Sequence, residues 1–570
     1  MRRSFPLCIA SIIAAAVAHG DSAPVTQDDL LAGHRGAPAT WPMYGGSYGQ
    51  ERYSDLDQIN RDNVSKLKPA WVFHTGIHNV ASGYQTTPVV FDEAMYITTP
   101  RIGREQWVMK LNARNGKEIW RKGLRQGAAR YCCGPNNRGA TLYEDKVIVA
   151  TLDARLVALD ADSGDILWEA QTADGSQGYS QTCAPVAFDD KIIIGVAGGE
   201  FGIRGFLKAF DANTGDHLWT WHTIPAPEDG GWEGDWVEEA PGLGISLNRD
   251  IEQEKADLAK YPDAWKRGGV PIWTTPSLDP ERRLIYVTTG NPGPDYDGSV
   301  RPGDNLWGDA ICAIRVDDGS LAWGFQYVPH DNWDYDGGTP PLLFDLDIDG
   351  RNVPVVGLFT KVGYFYLFNR ETGELLKVSE PYVPIDNLFA PLTTEGVVIA
   401  PGSAGGTNWS PASYNPQTGW AYSANLHWPM VMKTDPGIEF RPGATYQGGT
   451  ASFGGTEGIE TWGNVCAIDP ATGKIMWKTK TDLPMFSGVI TTAGGLVFAG
   501  QSDASFDAWD SKTGDHLWSH KTDAGANAAP MTYMLRGKQY VAVAAGGSRY
   551  VRRSRDNPPE ADAIIAFALP

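Results

Sequence analysis

One recurring segment constrains this chain more than any other feature: a short apolar strand, an Asp or Asn, a tight turn ending in Gly, and a Trp four residues beyond that Gly. It runs from Asn112 through Gly116 to Trp120, from Asp160 through Gly164 to Trp168, and from Asp211 through Gly215 to Trp219. It returns as Gly319 to Trp323, Asp469 through Gly473 to Trp477, and Asp510 through Gly514 to Trp518. Residues 366–377 are a degraded copy in which Lys377 stands in place of Trp. A strand, a turn that needs Gly for positive φ, and a return strand whose Trp packs against a neighbouring unit account for the pattern. The spacings are 48, 51, 104, 54 (to Lys377), 100 and 41 residues. A period of roughly 40–50 residues in a β-rich chain predicts a propeller.

Trp71, in Ala70-Trp71-Val72-Phe73, has no strand partner nearby, and the last strand, Ala563–Ala568, has no Trp after it. Together they would complete one blade and close the ring. If the two spacings near 100 residues are single blades with insertions, about 225–268 and 383–455, the fold is an all-β, eight-bladed propeller. The expected organisation is a leader, 1–20, followed by one domain, 21–570. Long loops on one rim of such a ring are where sites are built.

The leader is expected because Arg2 and Arg3 precede an uncharged run from Leu7 to Ala18 and the small residues Ala16, Ala18 and Gly20. That run is too short for a membrane span, so export to the periplasm without a membrane anchor is expected. Losing its two arginines takes the formal charge from −20 to −22. Such an acidic surface repels nucleic acid and anionic membranes and attracts basic partners. Five cysteines remain beyond the leader; they have no metal-ligand spacing, and no Cys-x-x-Cys-His occurs, so no c-type haem is carried by this chain.

The most specific string is Arg130-Tyr131-Cys132-Cys133-Gly134-Pro135-Asn136-Asn137-Arg138-Gly139. Adjacent cysteines are either two neighbouring thiols or, in an oxidising compartment, a bridge closing a flat eight-membered ring that can stack on a planar ligand. Gly198-Gly199-Glu200-Phe201-Gly202 follows a strand; a Glu beside glycines is either a turn residue or a ligand. Trp273 precedes Asn291 by 18 residues, and Asn291 ends a strand in Thr288-Thr289-Gly290-Asn291-Pro292. His330-Asp331-Asn332-Trp333-Asp334-Tyr335-Asp336 packs three carboxylates into six residues, as a solvated acidic loop or a metal site. On an extended segment Asp334 and Asp336 would point the same way.

These strings, with Trp41-Pro42-Met43-Tyr44-Gly45-Gly46, Leu67-Lys68-Pro69-Ala70-Trp71 and Thr492-Ala493-Gly494-Gly495-Leu496-Val497-Phe498, resemble the methanol and ethanol quinoprotein dehydrogenases over nearly the whole mature chain. The resemblance implies pyrroloquinoline quinone (PQQ), one metal ion, and oxidation of an alcohol. Cys132 and Cys133 would form the ceiling over the quinone and Trp273 the floor. Arg138, Thr182, Lys361 and Asn408 would bond the cofactor, with Gln85, Gly198, Gly199 and Trp409 beside it. Glu200, Asn291 and Asp334 would hold the metal, and Asp334 would be the catalytic base. Asp336 matches an extra carboxylate similar to that of lanthanide-using members, which leaves a lanthanide or Ca2+ as the ion. Gln85, Ala197 and Phe486 depart from the family's Glu, Ser and Trp, which bears on the substrate and favours a bulky or secondary alcohol. Without a haem of its own, the protein would pass electrons to a soluble cytochrome c or similar acceptor. A non-catalytic propeller scaffold shares the repeats but has no use for this residue set.

Overall fold

The structure is a computed structural model that describes residues 23–35, 40–77, 83–453, 458–547 and 561–570. The expected leader lies outside them. Among the described residues, seven four-stranded sheets and one five-stranded sheet follow one another along the chain, two of them completed by strands from the N-terminal part, Tyr53–Ser54 and Lys68–His74. A representative unit comprises Thr141–Tyr143, Lys146–Ala150, Arg155–Asp160 and Ile166–Gln171, all paired antiparallel to their neighbours. The second strand is buried throughout, whereas of the outermost only Trp168 is buried. Strands flanked by other sheets on both faces lose their period-two polarity, and only the rim strand keeps it.

The repeat is a joint between successive units. Trp71 donates its indole N–H to the carbonyl of Ala113 at 3.2 Å, Trp168 to that of Ala212 at 3.1 Å and Trp219 to that of Val316 at 2.9 Å. Trp120, Trp323 and Trp477 do the same to Ala161, Arg370 and Ser511. Each ring lies on the turn glycine of the next unit: a Cβ on Gly116 would sit 2.5 Å from the Trp71 ring. Glycine there meets two demands, a φ of +70° and no side chain beneath the indole.

Lys68–His74 pairs antiparallel with Ala563–Ala568, Trp71 opposite Ala566, and the sheet continues through Lys538–Ala545 and Met531–Leu535. The two ends of the chain therefore share one sheet, as expected. The 383–455 stretch is not one insertion. Ser413–Asn415 and Trp420–His427 lie inside it and form a four-stranded sheet with Trp462–Asp469 and Lys474–Thr481. Trp420–His427 is buried on both faces, so no alternation marked it as a strand. The true insertions carry a three-stranded sheet of Val397–Ile399, Met430–Thr434 and Gly449–Ala451. The 225–268 stretch adds a short ribbon, Glu239–Ala240 with Ile245–Ser246, and a helix, Ile251–Asp257, that Asp250 caps at Gln253. No helix among the described residues is long and apolar enough to cross a membrane.

Candidate active site

A cleft with about 850 Å3 of empty space, its open mouth included, gathers most of the expected residues. Cys132, Cys133, Arg138, Thr182, Gly198, Glu200, Trp273, Asp334, Asp336, Lys361, Asn408 and Trp409 all line it. They come from loops between strands of several successive sheets, so only the closed fold assembles them. Gln85, Gly199 and Asn291 do not line it. Gln85 is buried, and its Oε1 has no hydrogen-bond partner among the described residues.

Cys132 and Cys133 are bridged to each other, leaving Cys183, Cys312 and Cys466 as buried thiols. The sulfurs and a Glu200 carboxylate oxygen lie within 4.8 Å of one another. The Arg138 guanidinium lies 5.2 Å from the Trp273 ring centre and donates to Thr182 Oγ1 at 2.8 Å and the Trp273 carbonyl at 3.1 Å. A charged group and an aromatic wall are thereby fixed to each other. Gly198, at φ +118°, turns the chain into Glu200; a Cβ there would collide with the Gly178 carbonyl.

Lys361, which follows the strand Arg351–Phe359, places its ammonium 2.6 Å from both Asp334 Oδ1 and Asp336 Oδ2. Asp336 Oδ1 accepts the backbone N–H of Asn291 at 2.9 Å and the Trp273 indole N–H at 3.2 Å. Asp336 thus faces the cleft rather than bulk solvent, and it ties floor, loop and lysine together. The loop is not extended, contrary to expectation: Asp334 has φ +62°. Its shape comes from Asp331, whose carboxylate accepts the backbone N–H groups of Trp333 and Tyr335, each at 2.7 Å. Trp333 Nε1 and Tyr335 Oη then pin it to the carbonyls of Ala390 and Pro401. Asp331, with Asp309 beside it, is a positioning residue to which sequence reading assigned no role.

The electrostatics follow from burial. Glu200 is pushed up to about 7 by desolvation, with Asp336 adding to the rise. Asp334 is raised well above the ordinary carboxylate range by burial, against the pull of Lys361, while the Asp336 charge adds to the rise. Burial also works to raise Asp336, but Lys361 and its hydrogen bonds outweigh that and hold it low. The environment thus favours the anion at Asp336 and shifts Asp334 toward its protonated form. Two carboxylates sharing a site are driven apart in this way.

A succession of antiparallel sheets whose loops bring a vicinal disulfide, an indole and an acid–base cluster to one cleft fits a cofactor-dependent oxidoreductase of the propeller class. The chain matches the family described as PQQ, glucose/ethanol/alcohol dehydrogenase, beta-propeller domain, over residues 41–388 and 383–541. It is 34% identical over 563 residues to the quinoprotein alcohol dehydrogenase PedH of Pseudomonas putida, covering 95% of this chain and 91% of that protein. A lanthanide-dependent methanol dehydrogenase of Methylacidiphilum fumariolicum is 34% identical over 535 residues, covering 89% of this chain and 85% of the relative. Among solved structures, a europium-containing methanol dehydrogenase superposes with a TM-score of 0.82 at 31% identity, covering 95% of this chain and all of that one. The chain belongs to the PQQ-dependent alcohol dehydrogenase family and is an oxidoreductase.

Proposed function

We propose that this protein is a periplasmic alcohol dehydrogenase that binds PQQ and one lanthanide or Ca2+ ion between Cys132–Cys133 and Trp273, in a ring of eight blades formed by 21–570. The observation that carries this reading is the meeting of a vicinal disulfide, an indole, two buried cations and three carboxylates in one cleft. The fit is chemical as well as geometric. The disulfide and the indole suit a planar tricycle, Arg138 and Asn408 suit its anionic edge, and hard carboxylate oxygens suit a hard cation.

When bound, the quinone would supply the two-electron oxidation of the alcohol carbon and the metal would supply Lewis acidity. Glu200, Asp336 and Asn291 hold the ion. Arg138, Thr182 and Asn408 orient the cofactor, with Gly198 and Gly199 letting the backbone approach it and Trp409 closing its side. Asp334 Oδ takes the hydroxyl proton of the alcohol, and its raised proton affinity suits it to that step. Lys361 bonds both aspartates and keeps Asp336 ionised while Asp334 is poised. Gln85 keeps a hydrogen-bonding group near the cofactor without a glutamate's charge.

Phe486 and Ala197 make the substrate side roomy. Phe486 stacks on Trp409 at 4.9 Å and puts an apolar ring where a second indole would offer an N–H. A bulky or secondary alcohol suits that wall, and a soluble cytochrome c, attracted by the acidic surface, suits the electron exit. Dye-linked oxidation after reconstitution with PQQ and La3+ or Ca2+ tests the reading. A panel of primary, secondary and cyclic alcohols should show turnover, and no turnover with any of them under either metal would refute it.

A further inference from the structure

Arg301 lies in the loop that joins the strands Leu284–Thr288 and Ala310–Arg315, the loop that begins with Asn291, and it is fully buried. Its guanidinium reaches acceptors on both sides. Nε donates to the Pro294 carbonyl at 3.1 Å and Nη1 to Asn305 Oδ1 at 2.6 Å, both on its own loop. Nη2 donates to the Asp331 carbonyl and, at 3.1 Å, to Asn332 Oδ1, both on the loop that carries Asp334 and Asp336. Each of these acceptors is a neutral oxygen. A guanidinium withdrawn from water and given neutral acceptors adds little net stability. What its planar fork supplies is a fixed geometry.

That geometry matters at Asp331. Its carbonyl accepts Arg301, while its carboxylate accepts the N–H groups of Trp333 and Tyr335, each at 2.7 Å. Arg301 therefore anchors the residue that bends the chain into Asp334, whose φ is +62°. The two loops also meet where the Asn291 N–H donates to Asp336 Oδ1 at 2.9 Å and the Tyr296 hydroxyl to Asp334 Oδ2 at 3.5 Å. They pack closely at Gly298, where a Cβ would press on His330 Nε2 and Asn332 Oδ1. Arg301 does not line the cleft, so it acts through these loops.

We propose that Arg301 is a positioning residue of the reaction: by clamping the Asn291 loop to the acidic loop through Asp331, it sets where Asp334 and Asp336 stand relative to Asn291. This rests on reading the cleft as the alcohol dehydrogenase site. Lysine is no substitute, because three donors on one nitrogen cannot reach acceptors spread around a planar fork.

The test compares wild type with Arg301→Lys, which keeps the charge and removes the fork, and with Asn332→Ala, which removes one acceptor on the acidic loop. In metal-free protein, hydrogen exchange of the peptide 330–337 should quicken about tenfold or more in Arg301→Lys, while the strand Leu284–Thr288 exchanges as in wild type. A merely structural arginine would loosen strand and loop together. After reconstitution with PQQ and La3+ or Ca2+, kcat per bound PQQ should fall about tenfold or more with KM for the alcohol within about twofold, since displaced supports cost that much and the apolar wall is untouched. Asn332→Ala should move both readings the same way by less. Loop exchange or kcat at the wild-type value in Arg301→Lys would overturn the proposal, and so would uniform loosening. If Arg301→Lys does not fold, Asn332→Ala decides: faster loop exchange with lower kcat supports the clamp, and a wild-type value for either overturns it. Wild type without turnover under either metal would instead sink the dehydrogenase reading, while the exchange result still judges the clamp.

Discussion

Lys361 Nζ sits 2.6 Å from Asp336 Oδ2, inside a cleft where that ammonium is 4% exposed and the carboxylate 9%. The pair favours the anion of Asp336, and the same lysine lies 2.6 Å from Asp334, so one cation holds both aspartates while their proton affinities shift in opposite directions. Division of labour between neighbouring carboxylates is the pattern that separates an electrostatic support from a base.

Asp334→Asn should keep PQQ bound, read from its absorbance in the purified protein, and should lower kcat by about two orders of magnitude or more, the scale of a lost general base. A variant within a few-fold of wild type would remove Asp334 from that role.

Asp336→Ala should shift metal choice. The advantage of La3+ over Ca2+, measured as the ratio of activities after titrating metal-free protein, should fall by about tenfold. The ratio staying constant would mean that Asp336 serves only Lys361, Trp273 and Asn291.

Phe486→Trp should narrow the cleft against Trp409. We expect kcat/KM for a cyclic or secondary alcohol to fall about tenfold or more while a small primary alcohol changes little, the usual scale for a misfit in an apolar wall. Methanol as the best substrate of the wild-type protein would contradict the premise.

Deleting the last eight residues removes Ala563–Ala568, the partner of Lys68–His74. An unpaired edge in a closed ring is not tolerated locally, so cooperative unfolding should be lost, as seen by circular dichroism and size exclusion. A truncated chain that melts as a single sharp transition near wild type would show that the ring does not depend on this joint.

Acid should destabilise the protein partly through His330. Burial pushes its imidazole down to about 3 against the pull of Glu254, with Arg301 and Arg249 adding to the fall. Because the folded value lies below the ordinary 6.5, the stabilisation is complete above about pH 6.5 and is lost as pH falls toward 3. The full shift corresponds to roughly 5 kcal/mol at most. His330→Asn should therefore show a shallower fall in Tm between pH 6.5 and 4 than wild type. Parallel curves would assign the acid sensitivity elsewhere.

Much of this architecture is legible in the sequence because it repeats. The Gly116 and Trp120 pattern recurs, and its physical cause, an indole resting on the next turn, needs the same two residues each time. Cys132–Cys133, Glu200 and Trp273 are legible for another reason, since each is a distinctive type at a position a known family shares. Asp331 had no such mark. A carboxylate whose work is to hold a loop's N–H groups has no spacing that periodicity can detect. Trp420–His427 was missed because complete burial erases alternation. The shape around Asp334 was misjudged because Asp331, three residues upstream, bends what would otherwise run straight.

Where Lys377 replaces the repeating Trp, Gly473 of the following unit meets Lys377 Cγ and the Val378 carbonyl instead of an indole. That joint is held by the Glu380 N–H on the Gly473 carbonyl, the Ile475 N–H on the Glu380 carboxylate and Lys478 on the Tyr382 carbonyl. Polar contacts of this kind exchange with water far more easily than a buried ring does. Lys361 belongs to the loop on one side of this seam, and Asn408 and Trp409 to the approach on the other. The seam beside the cleft therefore closes on these polar bonds and on Phe344 stacked against Tyr414 at 3.9 Å, so the two loops that carry Lys361 and Asn408 are set against each other by a fastening that no indole supplies.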